Sequence, residues 1–355
     1  ILLNAIDFGR NKLEIHHQRH KSIKNLVLDG ISNSFNAPIS LSCKSPIETI
    51  SFYHFGKISN KYSFFNIDRS LFCNVTNLFF MNCYFHNGDF SRSSFNVSSQ
   101  FPRGLTSFAN FCRHQNSNLI SKIIQAFSGQ LVYLGFIDDT KVNLGSYNFH
   151  LLTEFVIISP IYNFFKIRHI LRHCKKLQKL HIQDIGTIIK NNHREPNALM
   201  KDIFNNSTLN TLRIQEGRIN DLSDIISAIE YGLFCIKTRL VGRTMVLRII
   251  FFVLYNNRGS KATSVAINGM EINLFIERIH KQLVRVYGDN NYKLLMEFRG
   301  DVGNVIDEFT KDRYIERTMG KEYDVSVIID GQRKIVFQIK SKNCIVPSTR
   351  WRFYI

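Results

Sequence analysis

One spacing of apolar residues recurs along the chain: apolar, two variable, apolar, one variable, apolar. It appears as Ile23-x2-Leu26-x-Leu28, Ile47-x2-Ile50-x-Phe52 and Val75-x2-Leu78-x-Phe80. It returns as Leu131-x2-Leu134-x-Phe136, Leu152-x2-Phe155-x-Ile157, Leu177-x2-Leu180-x-Ile182 and Leu209-x2-Leu212-x-Ile214. A degraded copy starts at Leu105 and carries polar Asn110 in its last slot, and a weak late copy starts at Ala262. The last two apolar positions alternate as on one face of a β-strand, and the first sits where the chain turns into that strand. From Ile23 to Leu209, successive copies begin 24, 28, 30, 26, 21, 25 and 32 residues apart. Stacked in parallel, such strands bury a continuous apolar ribbon that a single copy cannot bury alone.

Helical spacing appears between some copies. From Phe164 to Lys176, Ile167, Ile170, Leu171 and Cys174 share one face with Leu177, while Arg168, Arg172, Lys175 and Lys179 fall on another. Asp221 to Tyr231 predicts a second helix with Leu222, Ile225, Ile226 and Ile229 inward and Asn220 or Asp221 as N-cap. Past residue 232 the rhythm weakens, and 256–261 (Asn-Asn-Arg-Gly-Ser-Lys) is a turn signal. Ile272 to Tyr287 predicts a helix, and Val325 to Ile329 with Lys334 to Ile339 flank an Asp330-Gly331 hairpin signal.

The expected class is therefore α/β: a solenoid of irregular repeats with parallel strands, then a smaller α+β C-terminal region. The expected divisions are an N-terminal cap or remnant over 1–20, the solenoid over 21–232, a transition over 233–289 and the tail over 290–355. The repeat length falls mostly in the range of roughly 20–29 residues that characterises leucine-rich repeats, which the phrase resembles.

Composition changes the picture in three ways. The net charge of +18 and a pI near 9.7 favour acidic partners: nucleic acid, an anionic surface or an acidic protein. The seven cysteines are odd in number and form no C-x-x-C, which argues against a disulfide framework or zinc ribbon and for a reducing, intracellular setting, cytoplasmic or nuclear. In that setting the sequons at Asn74, Asn96, Asn205 and Asn206 are chance matches. The most apolar run, Met245 to Tyr255, contains Arg248 and is far shorter than the roughly 20 residues a membrane helix needs. It predicts a buried strand or core helix.

The leading Cys of Cys174-x2-Leu177-x2-Leu180-x-Ile182 resembles the Cys-containing repeats of F-box proteins, the substrate-binding subunits of cullin-type ubiquitin ligases. The stretch 205–214 (Asn-Asn-Ser-Thr-Leu-Asn-Thr-Leu-Arg-Ile), the acidic helix ending near Tyr231 and the basic turn before Lys261-Ala262-Thr263 resemble an F-box-associated domain. Arg258 departs from that pattern, standing where an acidic residue is usual. The resemblance implies a non-enzymatic protein-recognition scaffold and, with an F-box upstream of Ile1, ubiquitin-ligase subunits as partners. The chain opens without Met, which leaves room for such a segment.

Candidate chemistry is sparse. Asp324 with Gln338-x-Lys340 resembles the D…(E/Q)-x-K half-motif of restriction-endonuclease-like folds, where an acid and a second oxygen hold Mg²⁺ beside a lysine. Pairing 329 with 333 sets Asp324 across from Gln338, on the side of Lys340, and Glu277 on the preceding helix is the candidate third acid. This is the alternative, enzymatic reading, and the only one that calls for a cofactor. His16/His20 and His169/His173 have i, i+4 spacing but no third ligand, and read as exposed turn and helix surface. The candidate binding residues are Lys179, His181 and Arg213, read as an exposed basic ridge across adjacent strands, with Arg168, Arg172 and Lys175 on the helix face. Arg168, Arg172, Lys175 and Lys179, with Lys334, Lys340, Lys342, Arg350, Trp351, Arg352 and Phe353 of the tail, also suit a nucleic-acid-binding module.

Overall fold

The protein is described from a computed structural model, over residues 24–29, 47–53, 74–83, 101–112, 117–137, 142–145, 147–158, 164–185, 194–216, 222–240, 242–253, 269–288, 291–300, 323–330 and 334–341, with short strand traces at 2–4, 13–14 and 39–40. It is an α/β protein. It divides into two compact units, 1–158 with 173–176, and 159–172 with 177–355.

The first unit is a parallel ladder. Its strands are β1 (Leu2–Asn4), β3 (Asn25–Asp29), β5 (Thr49–Tyr53), β6 (Asn77–Met81), β7 (Ser107–Phe111), β8 (Tyr133–Ile137) and β9 (Glu154–Ile158), each hydrogen-bonded to the next in chain order. Two further short strands, β2 (Leu13–Glu14) and β4 (Ile39–Ser40), pair with each other. Each copy of the phrase lands in the same place. Leu26, Ile50, Leu78, Phe108, Leu134 and Phe155 align across the ladder, and all are buried. The opening residues Ile47, Val75, Leu105, Leu131 and Leu152 are buried too.

A second regularity was not read from the sequence. At each strand entry one carbonyl receives two N–H donors from the next copy. Lys24 O accepts from the amides of Glu48 and Thr49, Glu48 O from Thr76 and Asn77, and Thr76 O from Thr106 and Ser107. Thr106 O likewise accepts from Val132 and Tyr133, and Val132 O from Thr153 and Glu154. The accepting carbonyl belongs to the second residue of its phrase every time. This pins strand register through the backbone and so survives changes of side chain.

The last apolar slot stacks aromatic rings, Phe52 lying on Phe80 at 5.2 Å between centroids, and Phe80 meets Phe108 of the middle slot at 6.4 Å edge-on. Asn110 interrupts this row, its Oδ1 accepting the Cys112 amide at 3.3 Å. On the opposite strand face, Gly135 is required. A Cβ there would lie 2.6 Å from Cζ of Phe111 and 3.1 Å from the Tyr133 hydroxyl. Helix α1 (Ser117–Phe127) joins β7 to β8 and buries Ile120, Ile123, Ile124 and Phe127, an i, i+3, i+4, i+7 stripe.

In the second unit, β10 (Lys179–Gln183), β11 (Thr211–Glu216), β12 (Met245–Val253) and β13 (Tyr292–Gly300) pair parallel in chain order. Hairpin β14 (Tyr323–Asp330) and β15 (Lys334–Ser341) completes the sheet, with β15 antiparallel to β13. The entry device recurs, Gln178 O accepting from the amides of Asn210 and Thr211. Met245 to Val253 is thus a strand, which carries the parallel ladder past residue 232.

Four helices belong to this unit: α2 (Phe165–His173, apart from its last residue), α3 (Arg194–Asn205), α4 (Leu222–Phe234) and α5 (Gly269–Tyr287). Helix α2 ends three residues before the expected boundary, while α4 runs three residues further than the pattern indicated. Gly232 lets α4 approach α3, since a Cβ there would sit 2.7 Å from Met200 backbone. Asn206 locks the turn after α3: its Nδ2 donates to Leu171 O at 2.8 Å and its Oδ1 accepts the amides of Thr208 and Leu209. Among the described residues no helix is long and apolar enough to cross a membrane. His16, His20, the late copy at Ala262 and the basic aromatic C-terminus lie outside the described residues.

Candidate binding face of the second unit

Cross-strand partners share a face of a sheet, so register alone sorts the side chains of the second unit. Leu180, Leu212, Leu247, Leu294 and Ile339 share one face with Ile182, Ile214, Ile249, Met296 and Phe337. Helix α5 packs on that face, where Tyr292 Oη meets His280 Nδ1 at 2.6 Å. Helix α4 packs on α5 and α3 on α4, and Arg168 ties α2 to Asp202 of α3 at 2.6 Å. The apolar face thus lies under a helix layer.

The other face is polar. It carries Lys179, His181 and Gln183 on β10, then Thr211, Arg213 and Gln215 on β11. It continues through Arg248 on β12, and Lys293, Glu297 and Arg299 on β13, to Lys340 and Gln338 on β15. Parallel sheets covered on both faces read as continuous apolar runs. Here polar and apolar residues alternate on β10, β11 and most of β13, while β12 places Val246, Ile250 and Phe252 beside Arg248 on the same face.

Glu297 is the centre of this face. Its side chain is 2% exposed and lies between two guanidiniums: Arg248 Nη2 on Oε1, and Arg299 Nε and Nη2 on Oε2 at 3.1 and 2.9 Å. Burial pushes the Glu297 carboxyl up, but Arg248 and Arg299 outweigh it and hold the group below the usual carboxylate range. Arg213 is 0% exposed and donates from Nη2 to Gln215 Oε1 at 2.7 Å.

Structure and sequence agree on the adjacency of Lys179, His181 and Arg213: His181 pairs with Arg213, and Lys179 with Thr211. They disagree on exposure. His181 and Arg213 are buried, so the expected exposed ridge is an enclosed polar cluster, with Thr211 beside it buried as well. Arg168 and Arg172 belong to the helix layer, both facing Asp202, and Lys175 is exposed in a turn counted with the first unit. Cys174 is buried as its pattern required, and burial pushes its thiol up to about 12. His169 lies against the Phe165 ring at 6.3 Å.

The endonuclease-like set does not converge. The hairpin forms, but Asp330 pairs with Lys334, so Asp324 stands across from Lys340 and Ser326 across from Gln338. This shift of two residues keeps Asp324 on the face of Gln338 and Lys340. Glu277, however, lies on α5, under the opposite face, and pairs with Lys281 at 2.6 Å. The sheet separates the candidate third acid from the other three. Among the described residues no group of three or more His, Cys, Asp or Glu is placed to hold a metal.

Arg248, Glu297 and Arg299 were not singled out from sequence. The signal was present: Arg248 interrupts an apolar run, and Glu297 and Arg299 stand two apart on a strand, hence on one face. Comparison of the chain with protein-family models, with curated proteins and with solved structures gives no match.

His181 makes the face pH-sensitive. Burial first, then the charges of Arg213 and Arg248, push its imidazole well below the ordinary value of 6.5. Between those two values the unfolded chain binds the extra proton, so stability rises with pH there and falls as pH drops below about 6.5. Acidification from about pH 7 to about pH 5.5 is expected to remove about 1 kcal/mol through this group. Urea midpoints at the two pH values measure it. His181→Gln is expected to flatten that part of the profile, and an unchanged profile would assign the effect elsewhere.

Proposed function

We propose that the chain is a non-enzymatic protein-recognition scaffold of the leucine-rich-repeat-like solenoid kind, which takes its partner on the polar strand face of the second unit. The observation that carries this is the alternation on β10, β11 and β13, with Arg248 as the polar member from β12. One face of a parallel sheet lies under helices, and the other carries charged and polar side chains in cross-strand rows, enclosed at His181, Arg213 and Glu297 and partly exposed at Lys179, Lys293, Arg299 and Lys340. A stack whose neighbours bury each other's apolar slots leaves the partly exposed positions of its other face for contact. The F-box resemblance favours a ubiquitin-ligase adaptor as the setting, with the partner as the protein it presents.

The test places a photo-crosslinking amino acid at Leu295, half-buried on the polar face, and separately at Ser227, exposed on α4. Irradiation in lysate of the source cells is expected to give a discrete protein adduct from Leu295 only, competed by excess untagged chain. Adducts removed by nuclease treatment, or equal yields from both positions, reject protein recognition by this face.

A further inference from the structure

Resting on that reading, we propose that the polar face receives a carboxylate-bearing, partly apolar peptide segment at Arg248 and Arg299, with Glu297 as the internal carboxylate that holds both guanidiniums in place. Three features of the site lead there. The first is exposure. The Arg248 and Arg299 side chains are 16% and 26% exposed, while that of Glu297 is 2% exposed. The carboxylate is enclosed and the two arginines keep a minor exposed fraction, so what this largely enclosed group shows to solvent is cationic.

The second is donor arithmetic. Two guanidiniums offer about ten N–H donors, and one carboxylate offers about four acceptor positions. Arg248 engages Glu297 through Nη2 and Arg299 through Nε and Nη2, so the remaining Nη donors of both are in excess of what one carboxylate satisfies. Ordering by Glu297 removes much of the entropy cost of aligning two long side chains before a ligand arrives. A planar guanidinium matches a carboxylate in two-pronged fashion, which an ammonium cannot.

The third is the company the arginines keep. Leu295 pairs in register with Arg248 and Gln338, and Phe252 with Arg299; both apolar side chains are half-buried on this face. Cationic and apolar slots therefore interleave. That suits a segment alternating acidic and apolar side chains. A polynucleotide needs a longer open track of cations. Here Arg213 is enclosed, so the two arginines do not extend into such a track.

Fluorescence anisotropy on the full chain tests this with three probes: a labelled peptide of alternating Glu and Leu, its Gln-for-Glu counterpart, and an oligothymidylate of equal length. The Glu peptide alone is expected to bind appreciably. Arg299→Gln should weaken it about tenfold or more, the loss of a charged hydrogen bond. Glu297→Gln should tighten it severalfold, because the amide keeps an acceptor oxygen and withdraws the competing charge. Circular dichroism melts confirm that each variant is folded, and the gain in Glu297→Gln is a result that loss of structure cannot mimic. Equal binding of the Gln peptide, tighter binding of oligothymidylate, no binding of the Glu peptide, or no effect of either substitution overturns the proposal. A Leu295 adduct with protein, combined with failure of the Glu peptide, removes this ligand class and leaves recognition standing. Absence of that adduct removes recognition itself.

Discussion

Glu297→Leu is expected to lower the unfolding free energy by about 3–5 kcal/mol, because it leaves two guanidiniums facing each other in a largely enclosed site. The carboxylate touches Arg248 on β12 and Arg299 on its own strand, so its loss strikes the centre of the second unit. Leucine fills much of the volume, which isolates the electrostatic effect from a cavity effect. The triple change Arg248→Met, Glu297→Leu, Arg299→Leu is expected to recover most of the loss, since apolar replacement of a whole buried ion cluster is often neutral or better. Urea unfolding of the three proteins measures both effects. A cost below about 1 kcal/mol for Glu297→Leu would show that these charges stay hydrated and screened.

Phe80→Ala is expected to cost a similar amount, about 3–5 kcal/mol, for a different reason. The ring is 0% exposed, stacked on Phe52 and edge-on to Phe108. Truncation removes its transfer free energy, opens a cavity between two rigid strands and deletes two aromatic contacts worth about 0.5–1.5 kcal/mol each. The ladder hydrogen bonds on either side limit collapse around the hole. Phe80→Leu should cost clearly less. Thermal melts of the two variants order them, and equal losses would show that the aromatic row contributes only its volume.

These two sites differ in how visible they were beforehand. Phe80 is legible from spacing alone, since it closes a phrase and every described closing residue from Phe52 to Ile214 is buried. Parallel pairing was legible for the same reason: repeated copies of one pattern pack best when each lies beside the next. The polar cluster was legible only in part. Alternation sets His181 and Arg213 off the apolar face, but a one-dimensional pattern does not say how enclosed the other face is. The pairing of Arg248 with Glu297 joins residues 49 apart in sequence across two strands, and no local signal encodes such a contact. Helices α1 and α3 were missed because tertiary packing supplies most of a short helix's stability. The hairpin was found from Asp330-Gly331, yet its register differs by two residues. A two-residue slip keeps every side chain on its own face, so alternation cannot detect it.

The double-accepting carbonyls at the strand entries have a mechanical consequence. In the first unit they join β3 to β5 and then each strand to the next as far as β9 at the same point, and in the second unit they join β10 to β11. Tension applied along the direction of strand succession loads those junctions in series, so the weakest one opens first. Each junction gives way with the short hydrogen-bonded row behind it. Such a unit yields in steps about the length of one phrase, and a step that has opened leaves its neighbour as a template on which to close again.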